Sequence, residues 1–117
     1  MKISTICELL DAKVLCCEEN TGSHVYSACG CDLMSDVLAY VKDQAVLLTG
    51  LVNPQVIRTA VMMDMHCIVF VRSKTPSEEM IELARESGIV IMSTDKRLYE
   101  ACGILYTHGL TGNKVRS

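Results

Sequence analysis
The chain has 117 residues, 50% of them hydrophobic, with a mean hydropathy of +0.28; this suits one domain burying about two-thirds of its unfolded surface, and no apolar run approaches the ~20 residues that span a bilayer. Eleven basic against fourteen acidic residues give a net charge of −3, and one Phe, four Tyr and no Trp offer no stacking platform, so neither charge nor aromatic content fits nucleic-acid binding. Seven cysteines are an odd number and match no disulfide framework, while Glu8 and Asp11 break the opening M-K-I-S-T-I-C-E-L-L-D where a signal peptide would stay apolar, so a cytoplasmic protein with reduced thiols is expected.

Ile3, Ile6, Cys7 and Leu10 lie on one face of a short first helix. Residues 13–17 then read as a strand, E-E-N-T-G-S (18–23) as a turn and residues 24–29 as a second strand. Residues 33–41 form a helix with Asp32 at its cap and Ser35 and Asp36 in its first turn, where a carboxylate suits the helix dipole. Residues 45–49 are an apolar strand broken by Gly50. Asn53-Pro54 starts the next helix, since Asn accepts from orphan N–H groups and Pro tolerates the first helical position. Val56, Ile57, Ala60 and Val61 are its predicted buried face, with Gln55, Arg58 and Thr59 outside.

Residues 67–71 are the next strand. Thr75-Pro76-Ser77-Glu78 reads as a capping box with Pro in first position. The helix it opens turns Met80, Ile81, Leu83 and Ala84 inward and stops at Gly88. Residues 89–93 are the last strand, and Thr94-Asp95 is expected to cap a final helix carrying Leu98, Tyr99, Cys102 and Leu105 until Gly109. Residues 1–110 form the domain and 111–117 a loose tail. Short apolar strands separated by helices predict a three-layer α/β/α domain with a five-stranded, mostly parallel sheet, its first two strands free to run antiparallel. So apolar a small chain is expected to share surface with a copy of itself.

The stretches C-D-L-M-S-D-V-L (31–38), L-L-T-G-L-x-N-P-x-V-I-x-x-A (47–60) and K-T-P-S-E-E-M-I-E-L-A-R-E-S-G-I-V-I-M-S-T-D (74–95) carry a resemblance to the DRTGG domain. That domain is similar to the N-terminal, non-kinase domain of HPr kinase/phosphorylase and to the N-terminal domain of Mur ligases. The resemblance covers residues 3–110. The Asp-Arg-Thr-Gly-Gly tract itself is absent; Thr21-Gly22 and Thr49-Gly50 are fragments of it. The resemblance implies a regulatory module, usually dimeric, of the kind inserted in nucleotide-responsive pyrophosphatases and found at the front of some phosphotransacetylases. It also implies, for stand-alone members, association with iron hydrogenase and other iron–sulfur redox proteins. A kinase role does not carry over, because no G-x-x-x-x-G-K-[ST] loop is present to hold phosphates.

Cys29-Gly30-Cys31-Asp32 has two readings: metal or redox thiols, or a strand end turning into a helix. A thiolate site needs four ligands, and Cys16-Cys17 is the other close pair; the strand-end reading is preferred, with no metal and no cofactor expected. His24, His66 and His108 are dispersed, and His66 and Cys67 point to opposite faces of a strand. The favoured site is the rim beyond the carboxyl ends of the strands, where ligands bind in open α/β sheets. There Asp32, Ser35, Asp36, Thr49, Gly50, Asn53, Arg72, Ser73, Lys74, Thr75, Ser93, Thr94 and Asp95 offer hydroxyls, N–H groups and two cations to a phosphate or carboxylate. Helix capping alone accounts for Asn53, Thr75 and Asp95; Arg72 and Lys74 are what capping does not require. The expected function is a non-catalytic, homodimeric regulatory or accessory domain that binds a small ligand, a nucleotide or phosphorylated metabolite, or a signalling partner. The alternative is a thiol- or cluster-bearing accessory protein of a redox enzyme.

Overall fold
The computed structural model describes residues 1–40 and 44–111. The predicted end of the second helix at Val41 and the tail from residue 112 lie outside the described residues. The elements run α1 (Ile3–Leu9), β1 (Lys13–Cys16), a 3-10 turn (Glu18–Asn20), β2 (Ser27–Gly30), α2 (Met34–Tyr40), β3 (Ala45–Thr49), α3 (Pro54–Met62), β4 (Cys67–Phe70), α4 (Glu78–Ser87), β5 (Val90–Ser93) and α5 (Leu98–Thr107). The sheet order is β1-β5-β4-β3-β2. Strands β2, β3, β4 and β5 are parallel neighbours, and only β1 runs antiparallel, against β5. The antiparallel option left open for the second strand is therefore corrected. Helix α2 lies between β2 and β3 in the chain, and a helical crossover of this kind joins parallel strands.

Every residue of β3 and β4 is buried, which is why both read as unbroken apolar runs. Successive right-handed crossovers place α2, α3 and α4 on one face, with α3 packed on both of its neighbours, while α1 packs on α5 in the other layer. Phe70, Ile68, Leu47, Leu48 and Ile91 fill the centre, each such side chain contributing roughly 1.5–3 kcal/mol by leaving water.

Several boundaries moved for local reasons. The first strand stops at Cys16 because Cys17 turns left-handed at φ 60° to start the 3-10 turn. His24 pairs with Lys2 in an isolated bridge, so β2 begins only at Ser27. The tail is not loose at its start: the Thr111 carbonyl accepts from the Ala28 N–H at 3.0 Å. In α5, Ala101 and Leu105 face the core and Tyr99 points outward.

Helix α3 is rotated from its predicted face. Thr59 is buried and Val61 is exposed, the reverse of the expectation, because the inward arc is set by Val56, Ile57 and Ala60 and position 59 falls within it. Among the described residues the buried Thr59 hydroxyl has no hydrogen-bond partner, an uncompensated desolvation of roughly 1–3 kcal/mol. Thr59→Val keeps the shape and removes that hydroxyl. We expect it to leave stability unchanged or raise it by up to about 1 kcal/mol in urea unfolding, and a clear loss would show that the hydroxyl has a partner.

Candidate functional site
Because β2 to β5 are parallel, their carboxyl ends emerge on one edge as a row of turns: Gly30-Cys31-Asp32, Thr49-Gly50-Leu51, Val71-Arg72-Ser73-Lys74 and Ser93-Thr94-Asp95-Lys96. Asp32 does not cap α2. Its Oδ1 accepts from the Thr49 hydroxyl and from the Gly50 N–H, both at 2.8 Å, because strand pairing holds the next turn within reach. The first turn of α2 instead directs the Asp36 and Val37 N–H groups to the Leu33 carbonyl.

The middle turn is the most constrained. Arg72 and Ser73 both adopt φ 58°, a conformation costing side-chain-bearing residues roughly 1–3 kcal/mol each. Cross-turn bonds hold it: the Arg72 N–H donates to the Lys96 carbonyl at 2.8 Å, the Ser73 N–H to the Thr94 carbonyl at 2.9 Å and the Lys74 N–H to the Val71 carbonyl at 3.1 Å. The Ser93 hydroxyl donates to the Lys74 carbonyl at 2.9 Å. This backbone lays the Arg72 side chain along Gly50, where a Cβ would come within 2.5 Å of Nη2 and 3.3 Å of Cζ. Among the described residues Arg72 has no ion-pair partner; the two ion pairs are Arg85 with Glu82 and His66 with Asp64.

One expectation fails in part. The N–H groups of Gly50, Leu51, Arg72, Ser73, Lys74 and Lys96 donate within the protein, so these six do not contribute to an anion cradle of backbone amides. What the rim presents is side chains, chiefly Arg72 and Lys74. Lys96 joins them; the sequence reading passed over it, and the signal was available in the S-T-D-K-R run ending at Arg97.

The remaining predicted residues have local roles or lie apart. Asn53 caps α3, its Oδ1 accepting from the Gln55 N–H at 2.8 Å. Thr75 is exposed and caps nothing; Ser77 is the cap of α4, accepting from the Met80 N–H at 3.3 Å. The cap thus lies two residues later than expected, and the predicted capping box is not formed, because Met80 rather than a Glu or Gln stands three residues after Ser77; Pro76 is buried ahead of the cap. Thr94 is 2% exposed, donates to the Leu10 carbonyl at 2.7 Å and accepts from the Lys96 N–H at 3.3 Å. Neither it nor Asp95 caps α5; that position is Arg97, which makes no side-chain capping bond. Ser35, Asp36 and Asp95 are exposed.

Cys29, Cys31 and Cys102 gather at the end of β2. Gly30 faces α5, where Cys102 Sγ and Leu98 leave no room for a Cβ. Cys31 Sγ exchanges hydrogen bonds with the Leu33 backbone at 3.3 Å. Burial, reinforced by Cys31, Cys102 and Asp36, pushes the Cys29 thiol up to about 11. Burial likewise raises Cys17 to about 11, with the Cys16 charge and hydrogen bond next, and raises Cys67 further. Thiolates are therefore disfavoured near neutrality. Among the described residues no three His, Cys, Asp or Glu side chains come together to hold a metal ion, and no helix is long and apolar enough to cross a membrane.

The family model of the DRTGG domain matches residues 5–107. The chain belongs to the DRTGG domain family. No curated protein matches the sequence. Among solved structures, the CBS and DRTGG domains of the regulatory region of Clostridium perfringens pyrophosphatase, complexed with the activator diadenosine tetraphosphate, superimpose with a TM-score of 0.71 at 15% identity. The match covers 99% of this chain and 53% of that one, so this DRTGG domain spans about half the length of its structural neighbour. At that identity the likeness establishes the α/β fold.

Two outcomes follow from the rim and its thiols. Thr94→Val leaves the Leu10 carbonyl and the Lys96 N–H without their partner, and should cost about 1–3 kcal/mol in urea unfolding. The raised thiols predict alkaline lability. An unfolded Cys29 ionises from its ordinary value of 9.0 whereas the folded one waits until about 11, so its contribution is intact below pH 9 and is lost as pH rises towards 11. The urea midpoint should fall over that window, and less steeply in Cys29→Ala; identical slopes would refute the assignment.

Proposed function
We propose that this DRTGG domain is a non-catalytic, homodimeric regulatory or accessory module that recognises a small anionic ligand, a nucleotide or phosphorylated metabolite, at the rim. One observation carries the reading: an exposed guanidinium, laid on Gly50 by a strained turn and without a carboxylate partner among the described residues. Backbone strain concentrates where function needs a fixed geometry, and an Arg fork suits phosphate oxygens. With the neighbouring amides consumed internally, recognition falls to Arg72, assisted by Lys74. Membership of a family with regulatory examples supports this role, as does a structural neighbour crystallised with a dinucleoside polyphosphate activator. Signalling to a partner then works by preference: the ligand shifts the partner's equilibrium only as far as it favours one state of the domain.

The test is a thermal-unfolding screen against nucleoside mono-, di- and triphosphates, diadenosine tetraphosphate and sugar phosphates. A ligand at ~100 times its dissociation constant should add about 2.7 kcal/mol of stability. Arg72→Gln should weaken binding by at least about tenfold, the loss of one charge-assisted contact of roughly 1.5–3 kcal/mol. No shift across the panel, or an unchanged shift in Arg72→Gln, would overturn the rim as the binding site.

A further inference from the structure
Two features of the rim are left over once Arg72 is assigned to an anion. The first is the other half of the Asp32 carboxylate. Its Oδ1 is spent on the Thr49 hydroxyl and the Gly50 N–H. Among the described residues its Oδ2 accepts nothing, and Asp32 belongs to neither of the two ion pairs. A carboxylate has about four acceptor positions, so two bonds to one oxygen fix the other as a positioned acceptor on an exposed residue. The second feature is apolar. Leu33, directly after Asp32, is 57% exposed, and Val52, two residues after Gly50, is 37% exposed. Leu33 is exposed without being loose: its N–H donates to Cys31 Sγ, and its carbonyl accepts from the Asp36 and Val37 N–H groups.

Strand order sets these groups out along the edge. Strands β2 and β4 flank β3, about 10 Å apart at the usual strand spacing. Gly50 therefore has the Asp32 carboxylate on its β2 side and the Arg72 guanidinium on its β4 side, too far apart to pair with each other. Leu33 and Val52 follow the Asp32–Gly50 contact on its two chain segments. A ligand lying across Gly50 meets a cation, then an acceptor, then aliphatic surface. An inorganic polyphosphate uses the cation alone and meets Asp32 as a repelling charge. A ribonucleoside phosphate uses all three, offering phosphate oxygens, hydroxyl donors and a planar base. A carboxylate that accepts from ribose hydroxyls at the carboxyl edge of a parallel sheet is a known device of α/β folds.

We propose that the rim selects ribonucleoside phosphates, Asp32 Oδ2 accepting from a ribose hydroxyl while Arg72 holds phosphate and Leu33 and Val52 lie against the base. This rests on the rim reading above and names its ligand class. The test is calorimetric titration, in chelator at fixed ionic strength, with adenosine triphosphate, its 2′,3′-dideoxy form and inorganic triphosphate. The proteins are the wild type, Asp32→Asn, Leu33→Ser and Arg72→Gln, with thermal melting as a check on folding. Asp32→Asn keeps an oxygen for Thr49 and Gly50 but loses the charged acceptor. The wild type should bind the ribonucleotide about tenfold more tightly than the dideoxy form, the worth of one charge-assisted bond. Asp32→Asn should abolish that difference, weaken the ribonucleotide and bind inorganic triphosphate at least as tightly as the wild type. Leu33→Ser should weaken both nucleosides' phosphates severalfold and leave inorganic triphosphate unchanged. Equal binding of ribo and dideoxy forms, or tighter ribonucleotide binding by Asp32→Asn, would overturn the ligand class while Arg72→Gln still weakened every anion. No binding of any of the three, or binding indifferent to Arg72→Gln, would remove the rim reading as well.

Discussion
The parallel pairing of four consecutive strands is the constraint on which the remainder depends. Strands β3 and β4 are buried throughout, so their peptide groups must be satisfied inside the sheet, and parallel order brings every carboxyl end out on the same edge. Polar turn residues distant in sequence thereby become neighbours: Asp32 reaches Gly50, Arg72 reaches Lys96, and Thr94 reaches back to Leu10. The rim is a by-product of how the core is buried before it is anything else.

That origin decides what the rim can do. A loop that cradles phosphate does so with free amides, and here the amides of Gly50, Arg72 and Ser73 are spent on cross-turn bonds. Those bonds stabilise two consecutive left-handed residues that would otherwise be disfavoured, and they give the Arg72 side chain a fixed starting direction. Recognition by a long cation on a rigid turn depends on charge and salt more than an amide cradle does, and discriminates less between anions. No thiol with a resolved shift is poised as a nucleophile, since burial raises each of them.

The elements were legible wherever periodicity and a local stop agreed, as in β3, β4 and the α4 helix ending at the left-handed Gly88. They were less legible where tertiary contacts recruit a side chain that local rules had already assigned. Asp32 has the right chemistry to cap α2, but the Thr49 turn lies closer to its carboxylate. Thr94 is a good cap by type, and burial against Leu10 claims its hydroxyl instead. In α3 the apolar pattern tolerated two rotations, and packing between α2 and α4 selected the one that buries Thr59. Arg72 and Lys74 stood out in the sequence because no local rule needed them; the approach of Arg72 to Gly50 was invisible there, because it follows from the strained turn and the β3–β4 register.

The rim and the start of α5 are joined by a short covalent and hydrogen-bonded path. The Arg72 N–H is bound to the Lys96 carbonyl, and Lys96 precedes Arg97, the residue from which α5 starts. The left-handed turn at Arg72 and Ser73 and the lead-in to α5 therefore hold one another in place, and a change in either is transmitted to the other through backbone bonds. Any energetic coupling carried along that path is reciprocal: whatever shifts the turn by way of the helix start is shifted in the same measure by the turn.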